Sequence, residues 1–305
     1  MVLIMQQGSN TNMEQFTLVH TVKCQCVLGE SVFYSDDRQQ VIWNDIEGRV
    51  IHTLDWDTKF HRTYGVSSRL CWLIPFEHGG FVGGFEDEIC LLDDNFCRQK
   101  TLWVNKDFAE RVRLNDAKAD RSGRIFFGTM DDEEKEAKGN IYQLVVSKEP
   151  RIIQRDFTVS NGPAFSTCGK YMYAVSSAEK CIYRLFLSAA GEYHSPEVFI
   201  RFGECFGWPD GVTVDADDHL WIAGWDGKGV FRFTPEGELI AKLSTPAPLT
   251  TSVAFVGPTR RHIAVTSASR DLTNEQLALY PESGNLFIYS VEATGVVETP
   301  ATLSD

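Results

Sequence analysis

Four stretches, far apart in the chain, place oxygen-bearing or cationic side chains where a strand begins. They are Leu28-Gly29-Glu30, Arg113-Leu114-Asn115-Asp116, Ser160-Asn161-Gly162-Pro163 and Trp208-Pro209-Asp210-Gly211. An Asp between a proline and a glycine is ordinary turn chemistry. Glu30 is a poor turn former, however, and Asn161 precedes the Gly-Pro rather than forming it, so turn chemistry does not account for all four. Two carboxylates, Glu30 and Asp210, with the amide carbonyl of Asn161, would make an all-oxygen site for one hard divalent cation, with waters in the remaining positions. Calcium, magnesium, manganese, iron(II) and zinc all stay open for such a donor set.

These residues can act together only if the fold converges them. A recurring unit supplies the means: a polar turn, a short aromatic and β-branched strand, a Gly-rich or charged turn, and a second strand. It recurs around Gln40–His52, Gly80–Leu91, Gly123–Tyr142, Gly169–Arg184, His219–Phe233 and Arg261–Tyr289. A spacing of roughly 40 to 50 residues is the period of a four-stranded propeller blade. The chain is therefore expected to be all-β, a six-bladed β-propeller, whose blades bring their inner strands to one axis. Residues 1–15 read as a disordered leader and residues 16–305 as a single propeller domain. A strand at Phe16–Val22 could complete the last blade and close the ring. A pair of β-sandwiches would need a linker in mid-chain, and there is none.

The chain has 42 acidic against 29 basic residues, a formal charge of -13, and no basic stretch interleaved with aromatics. Nucleic acid and anionic membrane are poor partners for such a surface. There is no signal-type leader and no membrane span. The eight cysteines lack the paired spacing of a zinc site or a secreted scaffold, which points to reduced thiols and a cytoplasmic protein. Cys71 and Cys181 fall in apolar strands. His52, His61 and His78 read as surface or strand-end residues without a role, and Asp215–Asp218 as a hairpin turn. Only Thr273–Tyr280 has helical character, with Thr273 or Asn274 as its cap. Nucleophile-elbow, zincin, P-loop and dinucleotide motifs are all absent.

The four stretches resemble the family of senescence marker protein (regucalcin), gluconolactonases and related sugar lactonases. Leu28-Gly29-Glu30, Ser160-Asn161-Gly162 and Pro209-Asp210-Gly211 are similar to its metal-binding motifs, and Arg113-x-Asn115-Asp116 with Gly128-Thr129-Met130 to its substrate-side motifs. Thr251-Ser252-x-x-Phe255 and Tyr280-Pro281-x-x-Gly284-x-Leu286-Phe287 also match, so the likeness runs from about residue 20 to 290. The resemblance implies metal ligation by Glu30, Asn161 and Asp210, with Asp210 also the catalytic base. It implies substrate contacts from Arg113 and Asn115, and from Glu133, which occupies a station where some members place a substrate-contacting Glu. Three departures stand out: Ser31-Val32 in place of Gly-Pro, Ala117 where Gly is common, and Ser176 where an Asp often ends the strand.

The implied activity is metal-dependent hydrolysis of a sugar-acid lactone by a monomer, with Asp116 as an alternative second-sphere base. Two rivals remain. One is a metal-dependent ester or phosphotriester hydrolase; the other is a non-catalytic propeller that binds calcium or a protein partner. A structural ion would need Glu30, Asn161 and Asp210 but would have no use for Arg113 and Asn115.

Overall fold

The computed structural model describes residues 16–106, 110–146, 148–188 and 191–303. The expected disordered leader, residues 1–15, lies outside them. Six four-stranded sheets follow one another along the chain. Their inner strands are Gly29–Ser35, Leu70–Pro75, Val112–Ala119, Ser160–Phe165, Trp208–Val214 and Thr250–Val256, belonging to blades 1 to 6 in that order. Each inner strand packs on the next, and that of blade 6 packs on that of blade 1. The fold is the expected six-bladed β-propeller. Its ring closes as anticipated: Thr17–Val22 pairs antiparallel with Leu286–Ser290 and supplies the outer strand of blade 6.

Burial falls from the axis to the rim. Every residue of Ser160–Phe165 and Thr250–Val256 is buried, whereas the outer strand Arg98–Val104 is mostly exposed. Between blades the core is aromatic, with Trp43, Trp72 and Trp221 almost fully enclosed. Glycine makes room for these rings: a Cβ on Gly84 would lie 2.0 Å from Cε2 of Trp72.

The helix spans Asn274–Leu279, and Thr273 caps it through a reciprocal capping box with Gln276. Cys71 and Cys181 are buried, and all eight cysteines are free. The histidine reading needs correction. His52 is buried in a three-ring cluster with Trp43 and His61, with ring centroids 5.0 and 5.2 Å away, and its Nδ1 lies 2.9 Å from Nε2 of His61. Burial, reinforced by His61, pushes His52 down to about 4, so it packs as a neutral aromatic.

The C-terminal segment was not anticipated. It crosses the far ends of the inner strands: Gly295 N–H donates to Arg260 O, Ala301 N–H to Pro75 O and Thr302 N–H to Gly123 O. Between these anchors Glu298 pairs with Lys118 at 3.0 Å. The tail thus ties blades 2, 3 and 6 together at the end opposite the start of Gly29–Ser35. No helix among the described residues is long and apolar enough to cross a membrane.

Removing residues 1–22 would leave the edge of Leu286–Ser290 unpaired. We expect a fall in Tm on the order of 10 °C and concentration-dependent aggregation, read by calorimetry and light scattering. An unchanged Tm would show that ring closure by the first strand is dispensable.

Candidate active site

In a regular strand, successive side chains point to opposite faces, so a strand edge-on to the axis cannot aim neighbouring residues at one point. The inner strands break that alternation. In blade 1, Glu30 faces Asn44 and Phe33 faces Ile42, leaving Ser31 and Val32 opposite Trp43 alone. The same two-against-one bulge places Asn115 and Asp116 against Gly128, Gly162 and Pro163 against Ala174, and Asp210 and Gly211 against Ala223. Blade 6 repeats it with Thr251 and Ser252. Bulges bend a strand and re-aim its side chains, and they gather beside active sites. The four stretches therefore converge, although their stations are offset: Glu30 and Asn161 are the last paired residues, while Asn115 and Asp210 open the bulge.

Glycine permits the close approach of adjacent blades. A Cβ on Gly128 would lie 2.1 Å from Oγ of Ser160, and one on Gly211 would lie 2.8 Å from Cα of Ser252. Ser31, which replaces a family glycine, sits at φ 52°, a region that favours glycine. Its Oγ accepts the Leu73 N–H at 3.1 Å, a contact that glycine could not make.

Glu30, Arg113, Asn115, Asn161 and Asp210 line one cavity of about 400 Å³, together with Leu28, Met130, Trp208 and Trp225. A hydrogen-bond chain fixes its polar wall. Arg69 clamps Asp132 with two bonds of 3.0 and 2.9 Å, and Asp132 accepts Nε–H of Arg113 at 2.7 Å. Nη1 of Arg113 donates to Asn115 Oδ1 at 2.9 Å. Asn115 Nδ2 donates to Asn161 Oδ1 at 2.8 Å, and Asn161 Nδ2 to Ser177 Oγ at 3.0 Å. Ser177 Oγ–H ends the chain on Pro209 O at 2.7 Å, one residue before Asp210. This order settles the amide orientation: Asn161 shows its oxygen to the site, with a lone pair to spare.

The electrostatics are lopsided. Burial, then the Asp116 charge, pushes Glu30 up to about 8. Burial, then Glu30, Asp116 and Glu134, holds Asp210 well above the usual carboxylate range. Burial lifts Asp116 to about 6, against the Ala117 and Gly162 N–H groups and Lys118, which lower it. The Arg113 guanidinium eases Glu30 slightly, but Asp132 already takes its charge. Clustered carboxylates short of positive charge, beside an oriented amide oxygen, are the donor set of a hard divalent cation, so the residues fit one. Among the described residues, no His or Cys lines the cavity.

Two expectations take a different shape. Glu133 does not line the cavity; it pairs outward with Arg111 and with Lys135. Its neighbour Glu134 lines the cavity instead, at φ 58°. Asp116 accepts N–H groups of Ala117 and Gly162 at 2.8 and 2.9 Å and borders a separate cavity of about 40 Å³ with Lys118 and Glu298, so it does not face the space where a substrate would sit. Asp132, Ser177, Trp225 and Arg270 carry little signal in the sequence. Asp215, Asp217 and His219 form another acidic group, in the hairpin after blade 5's inner strand. There Asp215 accepts from Trp221 Nε1 at 3.0 Å and Arg232 Nη2 at 2.6 Å, so its charge is met and it acts as a hairpin lock.

A six-bladed propeller with an oxygen-rich acidic cavity at one end of its axis defines a small class of proteins. Residues 28–269 match the SMP-30/Gluconolactonase/LRE-like region, and the chain belongs to that family. It is 30% identical to the 6-deoxy-6-sulfogluconolactonase of Pseudomonas putida over 92% of this chain and 97% of that one. It is 28% identical to the pentonolactonase of Haloferax volcanii, over 92% and 96% of the two chains. Among solved structures, the calcium-binding regucalcin of Agrobacterium tumefaciens superposes with a TM-score of 0.88 at 25% identity, covering 94% of this chain and 98% of that one.

The raised carboxylates give a pH signature for metal-free protein. Groups whose folded pKa exceeds the unfolded value bind more protons when folded, so stability falls as pH rises from the unfolded pKa through the folded one. For Asp116 and Glu30 that window runs from about 4 to about 8. Chelated protein should lose several degrees of Tm between pH 5 and 8, and saturating divalent cation should abolish the loss. A flat metal-free profile would contradict the acidic cluster.

Proposed function

We propose that this protein hydrolyses the lactone ring of a sugar acid to the free acid, using one divalent cation held by Glu30, Asn161 and Asp210. One observation carries the reading: the cation-poor carboxylates share a cavity with a rigid Arg113–Asn115 pair that a structural ion would not need. The family and the lactonase names among its relatives support it.

When bound, the cation supplies Lewis-acid polarisation, worth several kcal/mol in the transition state. The protein groups do the rest. Arg113, locked by Asp132 and Asn115, has Nη2 left to donate to a substrate oxygen. Asn115 has spent both amide hydrogens on Ser160 O and Asn161 Oδ1, so toward substrate it can only accept, from a ring hydroxyl. Such fixed partners select one pose of a polyhydroxylated ring. Trp208 and Trp225 offer apolar faces to its C–H groups. As water oxygen bonds to the lactone carbonyl carbon, Asp210 takes the water proton. The ring C–O bond then breaks, and the same proton passes to the departing ring oxygen, leaving the hydroxy acid. The donor set favours calcium, magnesium or manganese over zinc. We read the enzyme as a cytoplasmic monomer, on its unpaired cysteines and on a site built from one chain.

The test is proton release from five- and six-carbon aldonolactones, after chelation and re-addition of single metals. Asp210→Asn should lower kcat by roughly 10²- to 10⁴-fold. Arg113→Lys, which cannot reproduce the fork that Asp132 and Asn115 hold, should raise KM about tenfold. Cation binding without turnover of any lactone would favour the non-catalytic calcium-binding reading instead.

A further inference from the structure

Among the described residues, Arg113 and Arg270 line the cavity and no other basic side chain does. Asp132 meets the charge of Arg113. Arg270 enters from the loop after the second strand of blade 6, its backbone N–H donating to Val27 O at 3.0 Å. Glu134 enters from the loop after the second strand of blade 3, with its backbone in the left-handed region that few non-glycine residues adopt. The two side chains meet at 3.3 Å through Nη2 of Arg270, whose Nε lies 3.2 Å from the exposed carboxylate of Asp271, so Glu134 is the partner on the cavity side. They come from blades on opposite sides of the ring, so their ion pair spans the cavity. Glu134 is also close enough for its charge to be felt at Asp210. Any substrate seated near Asp210 must share the space with this pair.

The pair decides which charge a substrate may carry. A sulfonate, phosphate or carboxylate on the lactone would have to displace Glu134 from Arg270 and lie beside the displaced carboxylate, with no spare basic group to receive it. A neutral hydroxyl can hydrogen-bond to either member and leave the pair intact. We propose that Glu134, by holding Arg270, makes this site selective for neutral polyhydroxylated lactones over lactones bearing an anionic substituent. The inference rests on the lactonase reading above. It sets this chain apart from the relative named for a sulfonated gluconolactone.

The experiment compares kcat/KM for a six-carbon aldonolactone and for the same ring carrying a sulfonate at carbon 6. Wild type, Glu134→Gln and Arg270→Gln are assayed at saturating cation and two salt concentrations. Wild type should prefer the neutral lactone. Glu134→Gln, which leaves Arg270 with only the exposed Asp271 as an acidic partner, should raise the anionic-to-neutral ratio about fivefold, through KM and more strongly at low salt. Arg270→Gln, which leaves Glu134 uncompensated, should lower that ratio. The proposal is overturned if wild type prefers the sulfonated lactone, if both variants leave the ratio within about twofold of wild type, or if both move it in the same direction. Turnover of neither lactone by wild type would sink the lactonase reading together with this one, whereas turnover with unmoved ratios sinks this one alone.

Discussion

Three acidic side chains crowd the axis, Asp210 buried and Glu30 and Asp116 half-buried, so that Asp116 raises the pKa of Glu30 and both raise that of Asp210, while Arg113, which eases Glu30, is already paired with Asp132. A buried charge without a partner is among the costliest features a fold can carry. The arrangement is sustainable at neutral pH only if protons or a cation compensate it, and a divalent cation does so while leaving the carboxylates ionised. Much of the surrounding structure serves to hold that repulsive cluster in place.

The propeller is suited to the task because its inner strands are the most buried and the most constrained part of each blade. All six carry a bulge, and those of blades 1, 3, 4 and 5 re-aim site side chains toward the axis. The closeness of the blades there depends on glycine, as at Gly128 against Ser160. The hydrogen-bond chain from Arg69 to Pro209 O then fixes which atom of each amide faces the cavity. At the other end of the axis the C-terminal tail, with Glu298 on Lys118, ties several blades together and borders the small cavity beside Asp116.

The blade period, the closing strand and the capped helix were legible because turn residues and apolar runs mark them directly. So was the convergence of Glu30, Arg113, Asn115, Asn161 and Asp210, since the four stretches carry polar side chains near the start of the first strand of a blade. Outer strands such as Leu239–Ser244 were harder to see, because a solvent-facing edge has no apolar period. The bulges depend on register between strands, which no local pattern records. The sequence reading names Glu133, whereas Glu134 lines the cavity: adjacent acids in a charged loop differ only in the backbone turn that aims one of them inward. Asp132 and Ser177 gave no signal either, since their importance comes from partners in other strands. The burial of His52 follows from its cluster with Trp43 and His61, which neighbouring strands of blade 1 bring together and no local pattern marks.

The most direct test of the central claim is a calorimetric titration of chelated protein with calcium, magnesium and manganese, repeated on Glu30→Gln. The account predicts one cation per chain for wild type, with proton release that grows as pH falls from 8 toward 6, and an affinity lowered by at least about tenfold in the variant. Wild-type binding with no proton release, or affinity unchanged in Glu30→Gln, would place the cation elsewhere and contradict the axial site.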